Sequence, residues 1–95
     1  MSANERRAVF LDRDGTLNRA YPAFGTTRPP RDLDELEILP SVPEALARLK
    51  QAGFKLVMIT NQPDVARGAI PRDVVDALNA EIQRRLAIDT VKCCY

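Results

Sequence analysis

The 95-residue chain contains no histidine. That absence excludes Ser-His-Asp and Cys-His triads, histidine zinc proteases and histidine general bases, and leaves carboxylates, hydroxyls, amides and cations to carry any chemistry. Cysteine is scarce and poorly placed for a disulfide framework, because the two residues, Cys93 and Cys94, are adjacent. The expected compartment is therefore cytoplasmic and reducing. Long apolar runs are also missing, since no stretch approaches the ~20 residues that span a bilayer. The opening MSANERRAVFLDRDG sets two arginines before a short apolar run that soon meets Asp12, so it lacks the apolar centre of a signal peptide. Charge of one sign is lacking too. The 14 Lys+Arg against 13 Asp+Glu give a net charge of +1, so no global field draws the chain to nucleic acid or to an anionic membrane. What is present, 45% hydrophobic and 28% charged residues with no low-complexity tract, describes a chain that folds, as a single small domain over 1–95.

The order of apolar segments predicts a βαβαβ arrangement. Arg7 to Asp12 is a short apolar run ended by a charged turn, as a buried parallel strand would be. From Arg13 to Ile38 periodicity is lost, and Gly15, Pro22, Gly25, Pro29 and Pro30 mark a long irregular excursion. Ser41 and Glu44 have the spacing of a capping box, Val42, Ala45, Leu46 and Leu49 recur at helical spacing, and Gly53 supplies the stop. Phe54 to Thr60 reads as a second strand, Arg72 to Ala87 as a second helix, and Thr90 to Tyr95 as a third strand. Strands alternating with helices imply a parallel sheet, in which ligands bind beyond the carboxyl ends of the strands. Asp12 and Thr60 both terminate strands there. If those strands are neighbours, one crevice receives Asp12, Asp14, Thr60 and Asn61.

In the run Asp12-Arg13-Asp14-Gly15-Thr16-Leu17 two carboxylates stand two residues apart on a turn that aims them differently. Asp12 suits a nucleophile that attacks phosphorus to give an aspartyl-phosphate. Asp14 suits an acid that protonates the leaving alcohol and a base that later deprotonates water. Gly15 lets the turn bring backbone amides close to a phosphate. The alternative is that both aspartates merely stabilise a turn; a calcium loop is excluded because the glycine comes too early. Thr60 and Asn61 are neutral donors able to hold phosphoryl oxygens, or turn residues bonding their own backbone, the reading favoured for Gln62.

FLDRDGTLN at Phe10 to Asn18, ITNQ at Ile59 to Gln62 and VARG at Val65 to Gly68 resemble the haloacid dehalogenase (HAD) superfamily. Within it the match is to the subclass of heptose bisphosphate and histidinol-phosphate phosphatases, and LPSVPEALARLKQAG at Leu39 to Gly53 extends it. The resemblance implies a Rossmann-like sheet without a large cap domain, with 13–38 as a long substrate-side loop. It also implies a magnesium-dependent phosphomonoesterase of carbohydrate metabolism acting on a small sugar phosphate or bisphosphate such as a heptose bisphosphate. Asp12 would be nucleophile, Asp14 acid and base, and Thr60 and Asn61 phosphoryl ligands. The Asp12 carboxylate and the Asp14 backbone carbonyl would hold Mg2+.

The sequence departs from the family where Pro63 and Asp64 follow Gln62 in place of Ser-Gly, and where Arg19 to Arg31 lacks a Gly-Tyr-Val stretch. The family's phosphoryl-holding Lys or Arg and its acidic metal ligand are expected in sequence beyond Tyr95, so the chain reads as ending after its third strand and turning over far below an intact relative. Cys94 is either an inert cysteine or the first ligand of a zinc loop continuing past Tyr95. Arg67 either clamps a second phosphate or carboxylate of the substrate or is a solvated loop cation. Arg6 and Arg7 read as solvent-facing charges. Two alternatives accompany the main reading. One is a nucleic-acid 3′-phosphatase, for which the charge balance offers no basic groove. The other is a non-catalytic fragment or assembly module that keeps the phosphate pocket and, with an open apolar strand edge, self-associates.

Overall fold

The structure, a computed structural model, describes residues 7–95. Residues 1–6, which include Arg6 and the start of the segment read above for signal-peptide character, lie outside them. Eight elements follow in chain order: β1 Ala8–Asp12, β2 Tyr21–Ala23, β3 Thr26–Arg28, α1 Val42–Gln51, β4 Lys55–Asn61, α2 Pro63–Ala66, α3 Arg72–Leu86 and β5 Thr90–Cys94. The strands β1, β4 and β5 form one parallel sheet in the order β1-β4-β5. Sequence neighbours α1 and α3 thus serve as the crossovers that parallel pairing requires.

The register explains both the core and the site. Ala8 to Asp12 lie beside Lys55 to Ile59, and Val57 to Asn61 beside Thr90 to Cys94. Because side chains alternate along a strand, Leu56, Met58 and Thr60 share one face and are buried. Against that face pack Val42 and Leu46 of α1 and Leu78, Ile82 and Leu86 of α3, closing one apolar cluster. Each such aliphatic side chain removed from water contributes roughly 1.5–3 kcal/mol. The other face stays open. Phe10 is 64% and Ile59 41% exposed there, so β1, expected to be buried, alternates between half-buried and exposed positions.

Helix α1 begins where expected but not by the expected device. Ser41 sits in helical φ/ψ and makes no side-chain cap bond, whereas a working N-cap needs extended φ/ψ. Pro43, in the first turn, also lacks one of the N–H groups a cap would satisfy. The excursion expected over Arg13 to Ile38 is more ordered than its proline content suggests. The β2-β3 hairpin crosses it, and its exit returns to its entrance through Arg19 N–H to Glu37 O at 2.8 Å and Leu39 N–H to Leu17 O at 3.0 Å. That hairpin is the only strand or helix described between β1 and α1, so no large cap is inserted there. A further short helix, α2, stands in the loop after β4.

Candidate active site

At the carboxyl end of β1 the chain turns so tightly that the Arg13 carbonyl accepts from the N–H groups of Thr16, Leu17 and Asn18 at 3.2, 2.8 and 3.2 Å. Gly15 N–H donates across the turn to Asn18 O at 2.8 Å. Gly15 has φ +82°, a conformation natural to glycine. A side chain there would meet nothing within 4 Å, so backbone conformation and not crowding calls for glycine. Leu17, 1% exposed, anchors the turn in the core.

The turn divides its two carboxylates. Asp12 is exposed, lies beside Ile59 in the sheet, and accepts no side-chain hydrogen bond among the described residues. Asp14 is enclosed by donors. Arg13 Nε reaches its Oδ1 at 3.1 Å and Nη2 its Oδ2 at 3.2 Å. Asn18 Nδ2 donates to Oδ1 at 3.1 Å and Gln62 Nε2 to Oδ2 at 2.8 Å. The same Gln62 amide donates to Thr60 Oγ1 at 2.6 Å. All four expected residues, Asp12, Asp14, Thr60 and Asn61, therefore lie at one sheet edge, with Asp14 and Thr60 joined by a bridging amide. Asn61 ends β4 exposed on the open side of the sheet, with Ile59 and Asp12.

Gln62, read from sequence as a turn residue, is 2% exposed and joins the two motifs. Arg13, Asn18 and Asn79 were not anticipated at all. Arg13 is 1% exposed, its Nη1 donating to Asn79 Oδ1 of α3 at 2.8 Å. The signal was in the sequence of α3, where Asn79 occupies a position of the apolar face shared by Val75, Leu78 and Ile82. Arg67 is exposed and pairs with Asp64 at 3.6 Å, not with the aspartate turn. Cys94 is exposed and Cys93 half-buried, both free. Among the described residues no three His, Cys, Asp or Glu side chains form a cluster that could hold a metal ion.

The donor set suits magnesium better than a softer ion. Mg2+ keeps several waters and takes few protein oxygens. The Asp12 carboxylate and the Asp14 carbonyl are two oxygens left without hydrogen-bond partners among the described residues, whereas the Asp14 carboxylate is already committed to donors.

No protein-family model matches the chain. It is 41% identical over 71 residues to the D-glycero-D-manno-heptose-1,7-bisphosphate 7-phosphatase of Chlorobaculum tepidum, covering 74% of this chain and 33% of that protein. It is 37% identical over 98 residues to the D-glycero-beta-D-manno-heptose-1,7-bisphosphate 7-phosphatase of Rhodopseudomonas palustris, covering 98% of this chain and 51% of the relative. Among solved structures it superposes on D,D-heptose 1,7-bisphosphate phosphatase from B. bronchiseptica, crystallised with magnesium and phosphate. The TM-score is 0.77 and the identity 33%, over 93% of this chain and 49% of that one. The corresponding enzyme from Burkholderia thailandensis gives a TM-score of 0.65 at 29% identity, over 93% and 52%. The chain thus spans between a third and about half the length of these relatives. By sequence and by fold alike, the chain is a homologue of the HAD-like heptose bisphosphate phosphatases over a third to about half of their length.

Proposed function

We propose that this chain carries the nucleophile and acid/base half of a magnesium-dependent phosphatase acting on a small sugar phosphate, with a heptose bisphosphate as the best-supported substrate. The observation that carries the reading is the division between the two aspartates. Asp12 presents an unengaged, exposed carboxylate, while Asp14, two residues on, is held by side-chain donors from both motifs. Attack by an Asp12 oxygen on phosphorus forms the aspartyl-phosphate and breaks the bond from phosphorus to the sugar oxygen, which takes its proton from Asp14. Water then attacks the same phosphorus, Asp14 accepts its proton, and the Asp12–phosphorus bond breaks. Magnesium, held by the Asp12 carboxylate and the Asp14 carbonyl, would offset charge on the phosphoryl oxygens. Thr60 and Asn61 supply neutral donors at the same edge. The resemblance also implies a phosphoryl-holding cation and an acidic metal ligand, to which this reading assigns no residue of the chain.

The test is phosphate release from a sugar bisphosphate by a polypeptide of the relatives' length that contains this segment. Asp12→Asn keeps the size of the side chain and removes the attacking anion, so turnover should fall on the order of 10³-fold or more. Excess chelator should abolish activity and Mg2+ restore it. Near-normal turnover by Asp12→Asn, or activity that persists in chelator, overturns the proposal.

A further inference from the structure

We infer that Arg13 and Asn79 act as a positioning pair, clamping Asp14 from helix α3 so that its carboxyl group stays turned toward Gln62 and Thr60. The clamp rests on geometry alone; its effect on turnover rests on the phosphatase reading. Burying a guanidinium is costly unless its donors are matched, and each nitrogen of this one has a partner: Nη1 meets Asn79 at 2.8 Å, and Nε and Nη2 meet Asp14 at 3.1 and 3.2 Å. An apolar pair would fill the same space at no desolvation cost, so packing alone does not account for the arrangement. The guanidinium is a planar, rigid fork. Once Asn79 Oδ1 fixes Nη1, the edge carrying Nε and Nη2 can face only one way, and the carboxylate follows it. Asn79 is 66 residues from Arg13 in sequence, so the orientation of Asp14 is set by how α3 docks and not by the aspartate turn alone. Gln62 Nε2 meets Oδ2, the oxygen that Nη2 also holds, at 2.8 Å. Asp14 thereby keeps one orientation while Asp12 remains free to meet a phosphoryl group. Misplacement by about 1 Å of a group that must transfer a proton costs up to ~10²-fold.

The clamp is tested on the 95-residue chain by nuclear magnetic resonance, through the Asp14 carboxyl carbon and the Gln62 side-chain amide. Asn79→Ala, a good helix former at an interior helix position, removes the acceptor and should shift both signals. Asn79→Asp keeps an oxygen for Nη1 and should return the Asp14 signal close to its original position. Signals unmoved by Asn79→Ala overturn the clamp. In a polypeptide of the relatives' length, Asn79→Ala should lower kcat about 10-fold or more on a sugar phosphate and less than about 2-fold on an aryl phosphate, whose leaving group needs no proton, with KM little changed. Equal losses on both substrates overturn the positioning role. Asp14→Asn is the control. If it too fails to distinguish the leaving groups, the acid role of Asp14 is what fails, and the clamp is still decided by the carbon signal.

Discussion

Gln62 divides one amide group between two acceptors, Asp14 Oδ2 and Thr60 Oγ1, and is itself buried. Gln62→Leu keeps the volume, strands Thr60 Oγ1 and leaves Asp14 Oδ2 to Arg13 Nη2 alone, so stability should fall by about 1–3 kcal/mol, read from the urea midpoint. Leu17→Ala opens a cavity where the aspartate turn is anchored and should cost ~2–5 kcal/mol by the same measurement. These residues differ in how far the sequence announced them. Asp12, Asp14 and Thr60 were legible because a polar residue ending an apolar run has one place to go, the carboxyl edge of a parallel sheet. Arg13 was not, because a charged residue in a turn belongs by default in water, and only a partner 66 residues away brings it inside. Asn79 carried the missing clue as a carboxamide on an otherwise apolar helix face. Gly15 was legible as the residue that lets the turn close, and its positive φ, with open space where a side chain would stand, shows that backbone conformation calls for it.

Elements show the same split between pattern and context. The three parallel strands and both long helices followed from apolar periodicity, but the spacing of Ser41 and Glu44 did not make a capping box, since Ser41 adopts helical φ/ψ. Ser41→Ala should therefore change the melting free energy by less than ~0.5 kcal/mol, not the ~1 kcal/mol of a working cap. The hairpin was hidden because what orders it is a set of polar contacts with no periodicity. Arg28 grips Glu35 through two bonds at 2.9 and 3.0 Å, Tyr21 donates its hydroxyl to Glu35 O at 2.6 Å, and Arg31 N–H adds a bond to the same carboxylate at 2.7 Å. Both Arg19 and Arg28 lie over the Tyr21 ring. The Arg28 guanidinium, and then the Arg31 amide, hold the Glu35 carboxyl down at about 2. A folded value below the unfolded value of 4.5 means the contact stabilises fully above that value and is lost as pH falls toward 2. Amide exchange in the hairpin should therefore accelerate as pH falls from about 4.5 to 2, after correction for intrinsic rates, and Glu35→Gln should show fast exchange throughout. Exchange in Glu35→Gln that still responds to acid as in the parent would locate the titration elsewhere.

At the scale of the molecule, both long helices cover one face of a three-stranded sheet, and β1 is one of its two edges among the described residues. Phe10 and Ile59 stand exposed on the other face, and an apolar edge strand recruits further chain. The 95-residue polypeptide is expected to associate with itself as concentration rises. Sedimentation velocity should show a shift toward monomer for Phe10→Lys, and an unchanged, strictly monomeric parent would remove the edge as a cause of association. The parallel register of β1 has a kinetic consequence as well. Asp14 and Gln62, which meet at 2.8 Å, are 48 residues apart in sequence, and every backbone bond between β1 and β4 closes a loop of similar length. Closing it incurs its entropy before any contact rewards it, so non-local pairing of this kind is slow. On the ribosome β1 emerges before β4 and cannot form this pairing until Asn61 has cleared the exit. The aspartate turn is therefore made well before the β4 residues that become its neighbours.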